Sequence, residues 1–96
     1  MNANFSNANL SNASFADADL SNARFSGTDV EGADFTNANL AGVNLCDCSL
    51  IGASFFDEKN NAGVGAKVET AIFTREQLES LSPAQRNFIE SRAILQ

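Results

Sequence analysis

The residues able to do chemistry are few and unevenly spread. The 96-residue sequence holds 12 Asp and Glu against 6 Lys and Arg, two cysteines, and no His, Tyr or Trp. Without histidine the commonest general base and metal ligand is missing. Cys46 has no activating partner, and two thiols without a histidine make a poor metal site. Neither a phosphate-cradling Gly-rich motif nor a nucleophile elbow is present. The carboxylates fall in polar turns on what should be a convex surface, with no concave pocket to raise a pKa. These observations predict a protein that is not an enzyme and needs no cofactor, metal or small-molecule substrate.

Charge is the chemistry that remains. Through residue 57 the acids are Asp17, Asp19, Asp29, Glu31, Asp34, Asp47 and Asp57, against Arg24 alone. The rest of the chain is balanced by Lys59, Lys67, Arg75, Arg86 and Arg92. An acidic surface repels nucleic acid and favours basic partners, so Asp17, Asp29, Glu31, Asp34 and Asp57 form a candidate acidic face.

What must position these side chains is a five-residue period. A bulky apolar residue recurs at Phe5, Leu10, Phe15, Leu20, Phe25, Val30, Phe35, Leu40, Leu45, Leu50 and Phe55. A small residue precedes each by two: Ala3, Ala8, Ala13, Ala18, Ala23, Thr28, Ala33, Ala38, Val43, Cys48 and Ala53. On an α-helix, five steps of 100° drift by roughly 140° per repeat, which would spiral the apolar residues around the whole surface. On a straight strand an odd period sends successive bulky residues to opposite faces. The chain must instead make a short extended step and then turn, the same way each time. All bulky and small side chains then share one axis, and the chain is a solenoid.

The runs Ala-Asn-Phe-Ser-Asn, Ala-Asn-Leu-Ser-Asn and Ala-Asp-Leu-Ser-Asn resemble the consensus of the pentapeptide-repeat family, over eleven consecutive repeats. The resemblance suggests a bacterial, cyanobacterial-type member. It implies an all-β fold, a right-handed quadrilateral parallel β-helix with four repeats per coil and about three coils here. Right-handedness agrees with the general chirality of parallel crossovers. Residues twenty apart should then stack: Phe5/Phe25/Leu45, Leu10/Val30/Leu50, Phe15/Phe35/Phe55 and Leu20/Leu40. Thr28, Val43 and Cys48, replacing the inner Ala, predict slight packing strain. Cys46 should point outward and Cys48 inward, which rules against a bridge and suits a reducing, cytoplasmic setting.

The domain boundaries expected are a β-helix over 1–73, with a loop insertion near 58–65, and a C-terminal α-helical cap over 74–96. Within the first, the repeat resumes as Ala62/Val64, Ala66/Val68 and Ala71/Ile72/Phe73. Within the second, Thr74-Arg75-Glu76-Gln77 and Ser82-Pro83-Ala84-Gln85 both match capping boxes. Leu78 and Leu81 on the first helix, and Phe88 and Ile89 on the second, should cover the last coil. Ala93-Ile94-Leu95 reads as half a repeat tucked against it.

No apolar run of signal-peptide or membrane-spanning length opens the sequence. Nothing precedes Met1, Ala3 and Phe5 to cover the first coil, so this end is the candidate docking end. The partner expected is a protein, either a second copy or another solenoid chain, and neither nucleic acid nor a membrane. The function read from the residues is a structural or protein-interaction module. The family resemblance adds two precedents: some members dimerise through C-terminal helices, and several mimic duplex DNA in the saddle of type II topoisomerases such as gyrase. The acid bias is compatible with mimicry, but about three coils at 4.7–4.9 Å span only ~14 Å. Ice binding would want ladders of Thr, and the repeat section contains only Thr28 and Thr36.

Overall fold

Each repeat bends because its backbone takes a left-handed step at a fixed place. The computed structural model describes residues 3–59 and 65–96. In it, Asn7, Asn12, Asp17, Asn22, Gly27, Gly32, Asn37, Gly42 and Gly52 all have φ between 60° and 73°. These are the second residues after the inward Phe, Leu or Val, the i+2 position at which a type II turn demands positive φ. Only Gly, Asn and Asp tolerate that conformation readily, so the repeat spends those residue types there. Each turn closes with a backbone bond such as Ala8 N–H to the Phe5 carbonyl at 3.0 Å or Ala38 N–H to Phe35 at 2.9 Å. At Gly32 an added Cβ would also collide with the Asn12 Oδ1 stacked beneath it.

Four such bends return the chain onto itself. Parallel bridges join Asn4 to Arg24, Asn9 to Asp29, Ser14 to Asp34 and Asp19 to Asn39, then Asp29 to Ser49 and Asp34 to Ser54, each twenty residues on. The ladder then jumps to Asn39–Lys67 and Asn44–Ile72, an offset of 28, which measures an insertion of eight residues. Its base is closed by an antiparallel bridge between Phe56 and Gly65. Beyond it the repeat resumes with Ala66, Val68, Ala71 and Phe73 buried and Ile72 facing partly outward. Ala62 and Val64, read from the sequence as the first of these steps, lie outside the described residues.

The core is a set of side-chain columns. Phe15, Phe35 and Phe55 stack with ring centroids 5.3 and 5.4 Å apart and planes within 10°. Phe5 and Phe25 lie 5.2 Å apart, tilted by 32°. From Leu20 onward the bulky repeat residues are fully buried, whereas Phe5, Leu10 and Phe15 in the first coil are only partly covered.

Two inner departures from Ala prove to be hydrogen-bonded rather than merely tolerated. The Thr28 hydroxyl donates to the Phe5 carbonyl at 2.8 Å, and one coil on, the Cys48 thiol donates to the Phe25 carbonyl at 2.9 Å. At Cys48 the departure has a backbone counterpart. Asp47 holds no left-handed step, and no bridge joins Arg24 to Asn44 among the described residues. The two stretches instead line an open crevice of about 340 Å³.

After the coil, β1 (Ile72–Phe73) leads into α1 (Arg75–Leu78) and α2 (Pro83–Glu90), and β2 (Ile94–Leu95) follows. Thr74 and Gln77 form a full capping box on α1. On α2, Ser82 caps the Gln85 N–H, but the Gln85 side chain does not reach back to Ser82, contrary to the sequence expectation. The C-terminal segment is also more than helical: β2 pairs parallel to β1, Ile72 with Ile94 and Phe73 with Leu95, extending the coil ladder by one layer.

Burial pushes the Cys48 thiol up from 9.0 to about 12. Between these values the folded protein keeps a proton that the unfolded chain releases. Stability is therefore undiminished by this group below about pH 9 and falls as pH rises toward 12. Melting temperatures measured from pH 7 to 11 should decline more steeply in the parent chain than in Cys48→Ala, which restores the Ala of other repeats.

Candidate functional site

The bridging peptide groups of a coil pair with another coil or with something that imitates one, so the two ends are where a partner strand can add. At the C-terminal end the imitation is thorough. Gln85, buried at 2% exposure, accepts the Phe55 N–H at 2.7 Å and donates to the Phe56 carbonyl at 3.0 Å and to Glu58 Oε2 at 2.9 Å. Gln77 accepts the Thr74 N–H at 2.8 Å and donates to the Cys48 carbonyl at 2.8 Å and to the Leu45 carbonyl. Each amide stands where the peptide of a further coil would lie. Leu78, Leu81 and Ile89 are buried against the core beneath them.

Phe88, expected on the covering face, is partly buried and packs against the core. It also stacks on Phe56 at 5.0 Å and carries the Arg92 guanidinium 4.2 Å above its ring. It sits where any side chain at Gly65 would go. Phe88 therefore clamps α2 to the base of the insertion as well as covering the coil.

The N-terminal end has no such cover among the described residues. In the second coil Arg24, Asp29 and Asp34 donate their N–H groups back to the Ala3, Ala8 and Ala13 carbonyls at 2.8–3.0 Å. Their carbonyls accept from Phe5, Leu10 and Phe15 at 2.7–2.8 Å. The corresponding residues of the first coil, Asn4, Asn9 and Ser14, aim the same groups outward, and these make no hydrogen bond among the described residues. Ala3, Phe5, Leu10 and Phe15 pack against the core from within but are only partly covered. Of the three residues read as the docking end, Ala3 and Phe5 thus lie on this open face, and Met1 lies outside the described residues.

The acidic residues divide between two sides. Asp17, Asp34 and Asp57 line one open groove of about 660 Å³, with Thr36, Asn37 and Gln85. This groove is a concavity that the sequence did not lead one to expect. Asp29 and Glu31 belong to the neighbouring repeat. Most of the five hold backbone or neighbouring hydroxyls: Asp29 accepts from Glu31 N–H at 3.0 Å, Asp34 from Thr36 N–H at 2.9 Å, and Asp57 from Lys59 N–H at 2.9 Å. Glu31 accepts from the Ser49 hydroxyl at 2.9 Å, and Asp17 supplies a left-handed turn residue. Asn4, Asn9, Asn39 and Asn44 make the same i to i+2 turn bond with a neutral oxygen. The bond needs an oxygen acceptor and not a charge. Lys59 also lies in the groove, so its field is not purely negative. Sequence reasoning missed Glu58, held there by Ser82 and Gln85. Outside the groove, Asp19 is held below the usual carboxylate range by the Ser21 hydroxyl and N–H.

The weight placed on Gln85 can be measured. Gln85→Leu removes the partners of the Phe55 N–H and Phe56 carbonyl together, a loss on the order of 2–6 kcal/mol at 1–3 kcal/mol per stranded group. Asn87→Ala, at an exposed position of the same helix, should stay within about 0.5 kcal/mol of the parent chain in urea unfolding.

Among the described residues no helix is long and apolar enough to cross a membrane. No curated protein matches the chain. A family model described as Pentapeptide repeats matches in eight copies, over residues 1–37 and 31–55. With more than half its length matched, and its bridges recurring every fourth repeat, the chain belongs to the pentapeptide-repeat family.

Proposed function

We propose that this protein is a non-catalytic interaction module, a right-handed four-sided solenoid of about three coils that binds a protein partner through the open face of its first coil. The observation that carries the reading is the contrast between the ends. Two helices, two glutamine amides and a returning strand close one. At the other, the peptide groups of Asn4, Asn9 and Ser14 find no partner among the described residues, beside half-covered Phe5, Leu10 and Phe15. An exposed strand edge of that kind is a template for pairing. A reducing, cytoplasmic setting fits the two free cysteines, one of them buried.

Site-specific photo-crosslinking in the source cells tests where binding occurs. A photoreactive residue at Ser14, on the open face, should give protein adducts; one at Lys59, in the acidic groove, should not. Adducts from Lys59 alone would move the binding surface to the groove and overturn the reading.

The competing reading is an acidic mimic of DNA bound by a type II topoisomerase, and the gathering of Asp17, Asp34 and Asp57 along one groove favours it. Against it stand the turn bonds those carboxylates make, the neighbouring Lys59, and a rod much shorter than a topoisomerase saddle. In a supercoiling assay with purified gyrase, micromolar protein should leave the rate unchanged, and inhibition would restore this alternative.

A further inference from the structure

The open end is complementary to itself. An antiparallel ladder contains residue pairs that exchange both N–H···O bonds, and each member must present its N–H and its carbonyl on the same edge. Asn4, Asn9 and Ser14 each do so, because their equivalents Arg24, Asp29 and Asp34 use both groups toward the preceding coil. When two coils of the same hand meet face to face across a two-fold axis, their chains circulate in opposite senses, so every facing pair is antiparallel. A partner stacked in the parallel sense would have to offer the pattern that Ala3 and Phe5 offer the second coil. That pattern lies on the C-terminal side of each coil, and at the last coil it is taken by Gln77, Gln85 and β2. Head-to-tail growth is therefore blocked, while head-to-head contact closes after two copies.

Charge points to the same occupant. The chain carries a net charge of −6, yet residues 3–16 contain no charged side chain. One coil further on, the same positions include Arg24, Asp29, Glu31 and Asp34. Two equally acidic copies repel least where charge is missing. Over three of the four sides of this face a basic partner finds no acid to recognise, Asp17 and Asp19 coming only at the end of the coil. Resting on the reading that the open end is the binding surface, we propose that its occupant is a second copy of this chain, joined first coil to first coil about a two-fold axis. An axis through the Asn4 and Ser14 sides pairs each of these residues with its own copy. It also keeps the two Asp19 carboxylates on opposite sides of the interface. In this arrangement the Phe15–Phe35–Phe55 column continues across the axis toward the second Phe15.

Sedimentation equilibrium of the full chain from about 1 to 200 µM should show the mass rising from 10.2 kDa toward twice that value. Ser14→Pro deletes an N–H that no bond among the described residues uses, and it should weaken association at least tenfold with the melting temperature nearly unchanged. A conservative second test replaces Cys46 by Ser and places nitroxide labels at Ser14→Cys or Ser54→Cys. Labels at Ser14 should broaden each other strongly. Those at Ser54, two ladder steps of about 4.8 Å further along each copy, should lie roughly 25 Å apart. A monomer throughout the range, or a dimer in which the Ser54 labels are the closer pair, overturns the proposal. Ser14 photo-adducts to a different protein, with no self-association, would end the self-pairing alone and leave the open end as the binding surface; no Ser14 adducts at all would end both.

Discussion

A solenoid coil cannot satisfy its own peptide groups. The turn bond is local, and so, in most repeats, is the bond that an Asn or Asp oxygen accepts from the N–H two residues on. The N–H and carbonyl groups that form the bridges point along the axis and need a neighbouring layer. A buried peptide group left alone costs as much as a lost hydrogen bond, so every layer commits the chain to another. The rest of the architecture answers that demand. The ladder keeps its columns through an eight-residue insertion, resuming at Asn39–Lys67 as though the extra residues were absent. Where one turn fails to take its left-handed step, at Asp47, the layers part locally and a crevice opens, but the columns on either side hold.

The same demand explains the composition. A left-handed residue in nearly every turn selects Asn, Asp and Gly, and an oxygen two residues before a bare N–H selects Asn and Asp again. Acidity is then partly a by-product of turn chemistry: wherever Asp stands for Asn the turn is unchanged and the surface gains a charge. That is why most of the acids stand at turn positions of the repeat, including those that line the groove. The first coil, which makes its turns with Asn7, Asn12 and Asp17, stays uncharged through residue 16 while doing the same structural work.

How much could be read beforehand follows from how local each cause is. The five-residue period, the inward Phe and Leu, and the outward turn residues are written in short-range spacing, as was the Thr74 capping box. Gln85 was not legible, because a Gln at N3 ordinarily returns to its own cap, and nothing nearby says that it faces a bare Phe55 N–H thirty residues away. Phe56 falls outside the inward positions of the period, and its role emerges only when Phe88 and Gly65 arrive beside it. Thr28 and Cys48 looked like packing compromises, since the carbonyls they reach lie 23 residues back, in the previous coil. The inward Ala3, Phe5, Leu10 and Phe15 of the first coil were legible from the same short-range spacing. The coil's self-complementary edge was not, because that depends on which peptide groups each bridge uses.

The glutamine caps also show what an end of this fold requires. A side-chain amide carries one acceptor and two donors in a plane, the same groups as a peptide, and can stand in for a missing layer at one or two points. It cannot stand in for the apolar columns, which is why Gln77 and Gln85 come on helices that bring Leu78, Leu81 and Ile89 with them. The first coil, by contrast, presents a bare edge and half-covered rings together. Water can satisfy the edge, yet it cannot cover the rings. An occupant that does both must bring a strand edge and an apolar surface in one rigid piece, and a second coil is the simplest object that has them.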